Sequence, residues 1–160
     1  MSPQLDQTEQ VLESLSEALK TELTAVYQYL LHARVCRNWG YLKLAEANRK
    51  ESLEEMEHAT AIIDRILFLK GTPNMTALSA IKECSDVKEQ FENDLALETE
   101  AISRLNAAVQ VATDAGDHVS RQLFDKILAD EDHHQDYLEG QLHVINEVGL
   151  TAYLAQQFKE

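Results

Sequence analysis

The chain has 160 residues, of which 44% are hydrophobic and 26% charged, and this composition suits one domain, residues 1–160, with a substantial core. Only 5 Gly and 2 Pro accompany many Ala, Leu, Glu and Gln, so we predict a nearly all-helical fold. The 28 acidic and 14 basic residues give a net charge of −14, which repels nucleic acid and anionic membranes but attracts cations. We therefore expect neither a nucleic-acid nor a membrane partner.

The location follows from what the sequence lacks. No stretch approaches the roughly 18 apolar residues that cross a bilayer, and the first residues contain no signal-peptide core. We expect a soluble, cytoplasmic protein. The cysteines Cys36 and Cys84 form no C-x-x-C pair, so we interpret them as reduced thiols without a function.

Four long helices are predicted from apolar residues that recur at alternating steps of three and four. The first two run from about Gln7 to Asn38 and from about Gly40 to Lys70. The third and fourth run from about Asp86 to Ala115 and from about His118 to Val148, and Ala152 to Phe158 is expected to form a short fifth helix. The pattern therefore predicts an all-α bundle.

The connections constrain the topology. The links at Gly40 and Gly116 are short enough to require antiparallel hairpins, whereas Thr72 to Ser85 is long. Fully extended, that segment reaches about 46 Å, which is enough to run the length of the bundle. We therefore predict a crossover that makes helices two and three parallel, with an up-down-up-down bundle as the alternative.

Ionisable residues interrupt the apolar faces at regular positions. A buried, unpaired carboxylate costs several kcal/mol, so four of them indicate a cation among them. Glu55 lies 33 residues after Glu22, Glu131 lies 33 after Glu98, and a histidine follows each later glutamate by three residues. The six candidate residues are Glu22, Glu55, His58, Glu98, Glu131 and His134.

The spacing places these six side chains at one level of the bundle. Each hairpin presents a glutamate opposite a Glu-x-x-His motif, and residues i and i+3 of a helix can reach the same metal. Two such motifs and one carboxylate from each remaining helix match the di-iron or di-manganese set of four-helix bundles. Oxygen-rich ligands with two imidazoles suit iron, so we predict a di-iron centre bridged by Glu55 and Glu131. A polar network without metal is the other interpretation.

Several stretches of the chain resemble bacterioferritins, members of the ferritin-like superfamily, over almost its whole length. They are Glu22–Ala25, Gln28–Tyr29, Leu31–Arg34, Lys50–Ser52, Glu55–Ala59, Arg65–Leu69, Asp94–Glu98 and Asp130–His134. The resemblance implies a ferritin-like four-helix bundle with a short C-terminal helix, assembled as a shell of twenty-four copies that stores ferric mineral. It also places the family's ferroxidase ligands on the six candidate residues.

The resemblance implies a second cofactor, and the chain departs from the family pattern at two positions. Bacterioferritins bind haem b between two subunits through a methionine from each, and Met56 occupies that position. Tyr29 matches a tyrosine close to the di-iron site, where it either supplies an electron or only packs in the core. Lys50 replaces a frequent histidine of an inner-surface iron site, and Glu57 replaces a usual basic residue beside the haem methionine.

We therefore predict a ferroxidase that oxidises Fe(II) with O2 or hydrogen peroxide and stores the product. One alternative is a haem-bearing shell subunit that co-assembles with a catalytic sister chain, so that the shell is mixed rather than homomeric. A peroxide-reducing rubrerythrin is disfavoured because the chain has no pair of C-x-x-C motifs. The other histidines, His32, His118, His133 and His143, are expected at the surface or an interface, without chemistry.

Overall fold

The computed structural model describes residues 6–159, which form five helices and, within that range, no strand. The helices are α1 (Gln7–Trp39), α2 (Leu42–Phe68), α3 (Val87–Asp114), α4 (His118–Val148) and α5 (Leu150–Leu154). The predicted four-helix bundle with a short C-terminal helix is confirmed. None of these helices is both long and apolar enough to cross a membrane.

Local capping fixes where the long helices begin and end. The Asp6 side chain accepts from the backbone of the first turn of α1, and Glu9 returns a bond to the Asp6 backbone, which completes a capping box. α1 ends at Gly40, whose φ of 89° lies in the left-handed region that a residue with a Cβ adopts at a cost. The Asp86 and Asp117 side chains likewise accept from a backbone amide in the first turn of α3 and α4. These signals are local, so the predicted bounds lie within two residues of the observed ones.

The long connection crosses the bundle along α1. The Ser79 amide donates to Thr24 Oγ1 at 3.0 Å, and the Lys82 amide donates to Gln28 Oε1 at 2.9 Å. α1 is antiparallel to α2 through the short link at Gly40, and it is also antiparallel to α3 because Tyr29 and Glu17 contact Glu98 and Arg104 respectively. Helices α2 and α3 are therefore parallel, as the crossover predicts.

The bounds of the fifth helix were predicted wrongly. It begins at Leu150 rather than Ala152 and ends at Leu154 rather than Phe158. Gly149, with φ 84°, ends α4 and lets a new helix start at once. The buried Tyr153 anchors it through an edge contact with Phe91, with ring centroids 6.1 Å apart.

His32 also lies elsewhere than expected. It is buried, whereas His118, His133 and His143 are exposed. Gln28 Nε2 donates to the Lys82 carbonyl at 2.9 Å and lies 2.9 Å from His32 Nε2, so this ring nitrogen accepts. His32 Nδ1 therefore carries the proton and donates to Asp94 Oδ2 at 3.0 Å. Cys36 is also buried, Cys84 is partly buried, and both thiols are free.

The apolar core is divided into two clusters. One contains Val11, Leu15, Ala18, Leu19, Ala59, Ile62, Ile66, Leu105, Ala108, Ala112, Phe124 and Ile127. The other contains Cys36, Leu44, Ala45, Val87, Phe91, Leu138, Ile145 and Tyr153. Along every long helix the residues between the two clusters include the six candidate ligands, so a polar layer separates two apolar ones.

Ile62→Ala is expected to destabilise the bundle by about 2–5 kcal/mol, because it opens a cavity in the first cluster. Ile62 is fully buried, whereas Leu67 on the same helix is 52% exposed. Leu67→Ala is the matched control and should change the unfolding free energy little. Urea unfolding of both variants measures the difference, and equal losses would contradict the assigned core.

Candidate metal centre

All six predicted residues converge in the polar layer. α1 supplies Glu22, α2 supplies Glu55 and His58, α3 supplies Glu98, and α4 supplies Glu131 and His134. Each is at least nine-tenths buried. The Glu-x-x-His spacing works as expected, since each histidine lies on the same helix face as its glutamate and faces the same interior.

The side chains form two groups that share two members. Glu22, Glu55, His58 and Glu131 have ligand atoms within 4.8 Å of one another, and so do Glu55, Glu98, Glu131 and His134. Both imidazoles turn Nδ1 inward: His58 Nδ1 lies 3.1 Å from Glu55 Oε2, and His134 Nδ1 lies 3.2 Å from Glu55 Oε1. Glu55 therefore faces one imidazole with each oxygen, which is the arrangement of a bridging carboxylate.

In the described chain, no lysine or arginine offsets the burial of these carboxylates. Within residues 6–159, the four glutamates form ion pairs only with the two imidazoles, and none with lysine or arginine. Glu55 Oε1, Glu131 Oε1 and His134 Nδ1 are buried without a hydrogen-bond partner. Buried polar atoms normally have partners. The donor set therefore fits cations bound between the two groups.

The packed charges alter the pKa values of the metal-free centre. Burial raises the pKa of Glu22 well above its usual value, and the neighbouring Glu55 raises it further. Burial, followed by the contact with Glu98, raises the pKa of Glu131 to about 12. Burial also opposes ionisation of Glu55, but contacts with Glu22 and the two imidazoles lower its pKa overall.

The pKa values of the two imidazoles are raised, in contrast to the lowered pKa of Glu55. Burial alone would lower the pKa of His58, but contacts with Glu131, Glu22 and Glu55 raise it well above the usual range. The pKa of His134 is raised in the same way, with Glu51 as the largest contributor. In the metal-free centre both histidines are therefore protonated and carry a positive charge.

Three contacts beside the centre were not predicted as part of it. His58 Nε2 lies 3.0 Å from Asp130 Oδ2, and His134 Nε2 lies 2.8 Å from Glu51 Oε2 and 3.1 Å from Glu54 Oε2. The signal was weak, because Asp130 directly precedes a ligand but sits on another helix than its partner. Tyr29 was singled out from the sequence, and its hydroxyl donates to Glu98 Oε1 at 2.5 Å.

The His134 side of the centre lies close to a cleft in the surface. A small internal cavity lies between Tyr29, Glu51 and His134. Glu51 also lines an open cleft of about 390 Å³ that contains Glu54 and Lys50. Glu51 therefore stands between the surface and the His134 side of the centre.

A four-helix bundle that encloses carboxylates and imidazoles in this pattern is a ferritin-like protein. The family model described as a ferritin-like domain matches residues 12–148. The chain is 46% identical over 147 residues to a bacterioferritin of Mycobacterium avium, with 92% of each chain covered. It is 44% identical over 143 residues to one of Brucella melitensis, with 89% of each covered. The chain therefore belongs to the bacterioferritin family.

Proposed function

We propose that the chain stores iron, and that it oxidises Fe(II) to Fe(III) at the six-residue centre before the product collects inside a multi-subunit shell. The observation that carries this proposal is the pair of buried metal-capable groups that share Glu55 and Glu131. Four carboxylates and two imidazoles suit iron or manganese better than copper(I) or zinc. The similarity of the chain to bacterioferritins supports iron as the metal.

Each side chain has an assigned role in this proposal. Glu55 and Glu131 would be shared by two ferrous ions, Glu22 and His58 would hold the first ion, and Glu98 and His134 would hold the second. The ligands keep both ions in a water-poor layer between two apolar clusters, so carboxylate charge stabilises the ferric product strongly. Each ion gives up one electron, and O2 or hydrogen peroxide takes up the pair with protons.

Tyr29 is the redox-active side chain nearest to this chemistry. Burial, followed by the charge of Glu98, raises its pKa well above the usual value, so the hydroxyl keeps its proton. Its hydrogen bond to Glu98 gives that proton an acceptor if the ring loses an electron. We propose that Tyr29 supplies an electron to this chemistry, rather than serving only as a packed aromatic.

Haem b is the second proposed cofactor, and it carries electrons when bound. Met56 lies on the outside of α2 and is 50% exposed, so its thioether is free to meet a group outside the bundle. Leu53, one turn earlier on the same face, is also exposed, as are Tyr27 and Leu30 of α1. The Ser52 hydroxyl donates to the Val26 carbonyl, which places these two surfaces at one height. This apolar surface fits a haem shared by Met56 of two copies.

Met56→Ala is expected to remove the haem, because the substitution would delete the thioether that each of the two copies would supply to it. The protein should be produced with excess haem and purified as the assembled particle, and the Soret band should be compared with that of the unchanged protein. The control is Met75→Ala, because Met75 is also a methionine and is 52% exposed. This variant should keep the band. A Soret band retained by Met56→Ala would contradict the assignment.

Stopped-flow absorbance tests the ferroxidase proposal directly. The metal-free chain is mixed in air with two ferrous ions per chain, and a ferric signal much faster than in buffer is expected. Oxidation at the buffer rate would refute the proposal and favour the haem-bearing shell subunit that depends on a catalytic sister chain. Gel filtration of the chain purified alone shows whether it forms a large homomeric particle, for which the family resemblance gives twenty-four subunits.

A further inference from the structure

The two imidazoles of the candidate centre differ in the carboxylates that contact their outer ring nitrogens. Both turn Nδ1 towards the glutamates and Nε2 away from them. His58 Nε2 meets a single carboxylate, Asp130, at 3.0 Å. His134 Nε2 meets two, Glu51 at 2.8 Å and Glu54 at 3.1 Å.

The outer nitrogen matters because an imidazole that binds a metal through one nitrogen keeps its proton on the other. A carboxylate that accepts this proton fixes the ring orientation and makes the inner nitrogen a better ligand. Asp130 does this from α4 for a histidine on α2, so the contact depends on the packing of two helices. Among the described residues, no other carboxylate forms an ion pair with His58 Nε2.

At His134 two carboxylates lie within reach of the same N–H. Glu54 Oε2 accepts its hydrogen bond at 3.1 Å, whereas Glu51 Oε2 lies 2.8 Å away as an ion-pair partner that forms no hydrogen bond. Glu51 and Glu54 are three residues apart and therefore share a face of α2. The Glu54 side chain is 55% exposed and that of Glu51 is 23% exposed, so both carboxylates reach His134 from the surface side.

We propose that Asp130 is a non-redundant positioning residue for His58, and that Glu51 and Glu54 are interchangeable positioning residues for His134. The proposal rests on the proposed function, because it takes His58 and His134 to be metal ligands. It predicts that one half of the centre is sensitive to a single substitution, whereas the other half is weakened only by a double substitution.

Cobalt(II) is the probe, because it accepts nitrogen and oxygen ligands and its visible spectrum reports their geometry. The metal-free assembled protein is titrated with Co²⁺, and two ions per chain are expected. Asp130→Ala should lower the affinity for one of the two ions by about 10–100-fold and change the absorption bands of that ion. Asp130→Asn keeps an oxygen acceptor and should restore part of the affinity.

The matched control is Asp132→Ala, which removes one charge from an exposed position two residues along the same helix. It should leave both affinities unchanged, as should Glu51→Ala and Glu54→Ala singly. The double variant Glu51→Ala/Glu54→Ala should weaken the other ion by about 10–100-fold. Circular dichroism and gel filtration should show that the metal-free Asp130→Ala protein stays helical and assembled, which separates loss of positioning from loss of the fold.

Two results would overturn the proposal while leaving the metal centre intact. One is wild-type binding of both Co²⁺ ions by Asp130→Ala, and the other is a loss with Glu51→Ala alone as large as with the double variant. Absence of any bound Co²⁺ pair in the unchanged protein would refute the centre itself and this inference with it. Because the titration measures equilibrium affinity, a slower entry of ions past Glu51 does not affect it.

Discussion

Glu131→Ala is expected to remove the fast phase of iron oxidation, with a rate loss of about 100-fold or more, since even residues behind a metal ligand contribute about 10–100-fold. Glu131 belongs to both metal-capable groups, so under the proposed function its loss removes a ligand from each of the two ion positions. Glu22→Ala removes a member of only one group and should leave more activity. Stopped-flow absorbance with two ferrous ions per chain measures all three proteins.

The control for this prediction is Glu139→Ala, which removes one negative charge from an exposed position of the same helix. It should oxidise iron at the unchanged rate. Gel filtration and circular dichroism should show that Glu131→Ala remains assembled and helical, because the two apolar clusters on either side of the centre are unchanged. If this folded variant oxidised iron normally, oxidation would take place elsewhere in the molecule.

The elements predicted well from the sequence are those that depend on local periodicity. The four long helices follow from apolar spacing and from caps such as Asp6, Asp86 and Asp117. The site was predictable because carboxylates interrupted apolar faces, and because equal distances from two short turns put them at one height. The crossover followed from loop length alone, since a short loop could not have made α2 and α3 parallel.

The features that were missed depend on pairings between distant parts of the chain. His32 lies on a face of α1 that meets α3. There its Nδ1 donates a hydrogen bond to Asp94, which is 62 residues away in the sequence. Asp130 contacts His58 across 72 positions. A single sequence gives no measure of such partners, so His32 was taken for a surface residue and Asp130 was not singled out. The fifth helix was misplaced for a local reason, since Gly149 allowed it to start earlier than its apolar residues suggested.

Metal binding should release several protons per chain, because the metal-free centre holds them where a cation must bind. The pKa of Glu131 is raised to about 12, chiefly by burial, so this carboxyl is protonated near neutrality. The surrounding carboxylates keep His58 and His134 charged as well. Metal ligands must lose these protons, so protons and metal compete for the same atoms.

The sign of the pH dependence follows from this competition. These pKa values lie above neutrality, so between pH 6 and 8 the protons are present in the metal-free state and absent from the metal-bound state. Each proton released raises metal affinity about tenfold per pH unit, so affinity should rise steeply as pH rises. Calorimetric Co²⁺ titrations in two buffers of different ionisation enthalpy count the protons, and Glu131→Gln should release about one fewer. Equal affinities at pH 6 and pH 8, with no proton release, would mean that the buried glutamates are already ionised and paired with a group other than the metal.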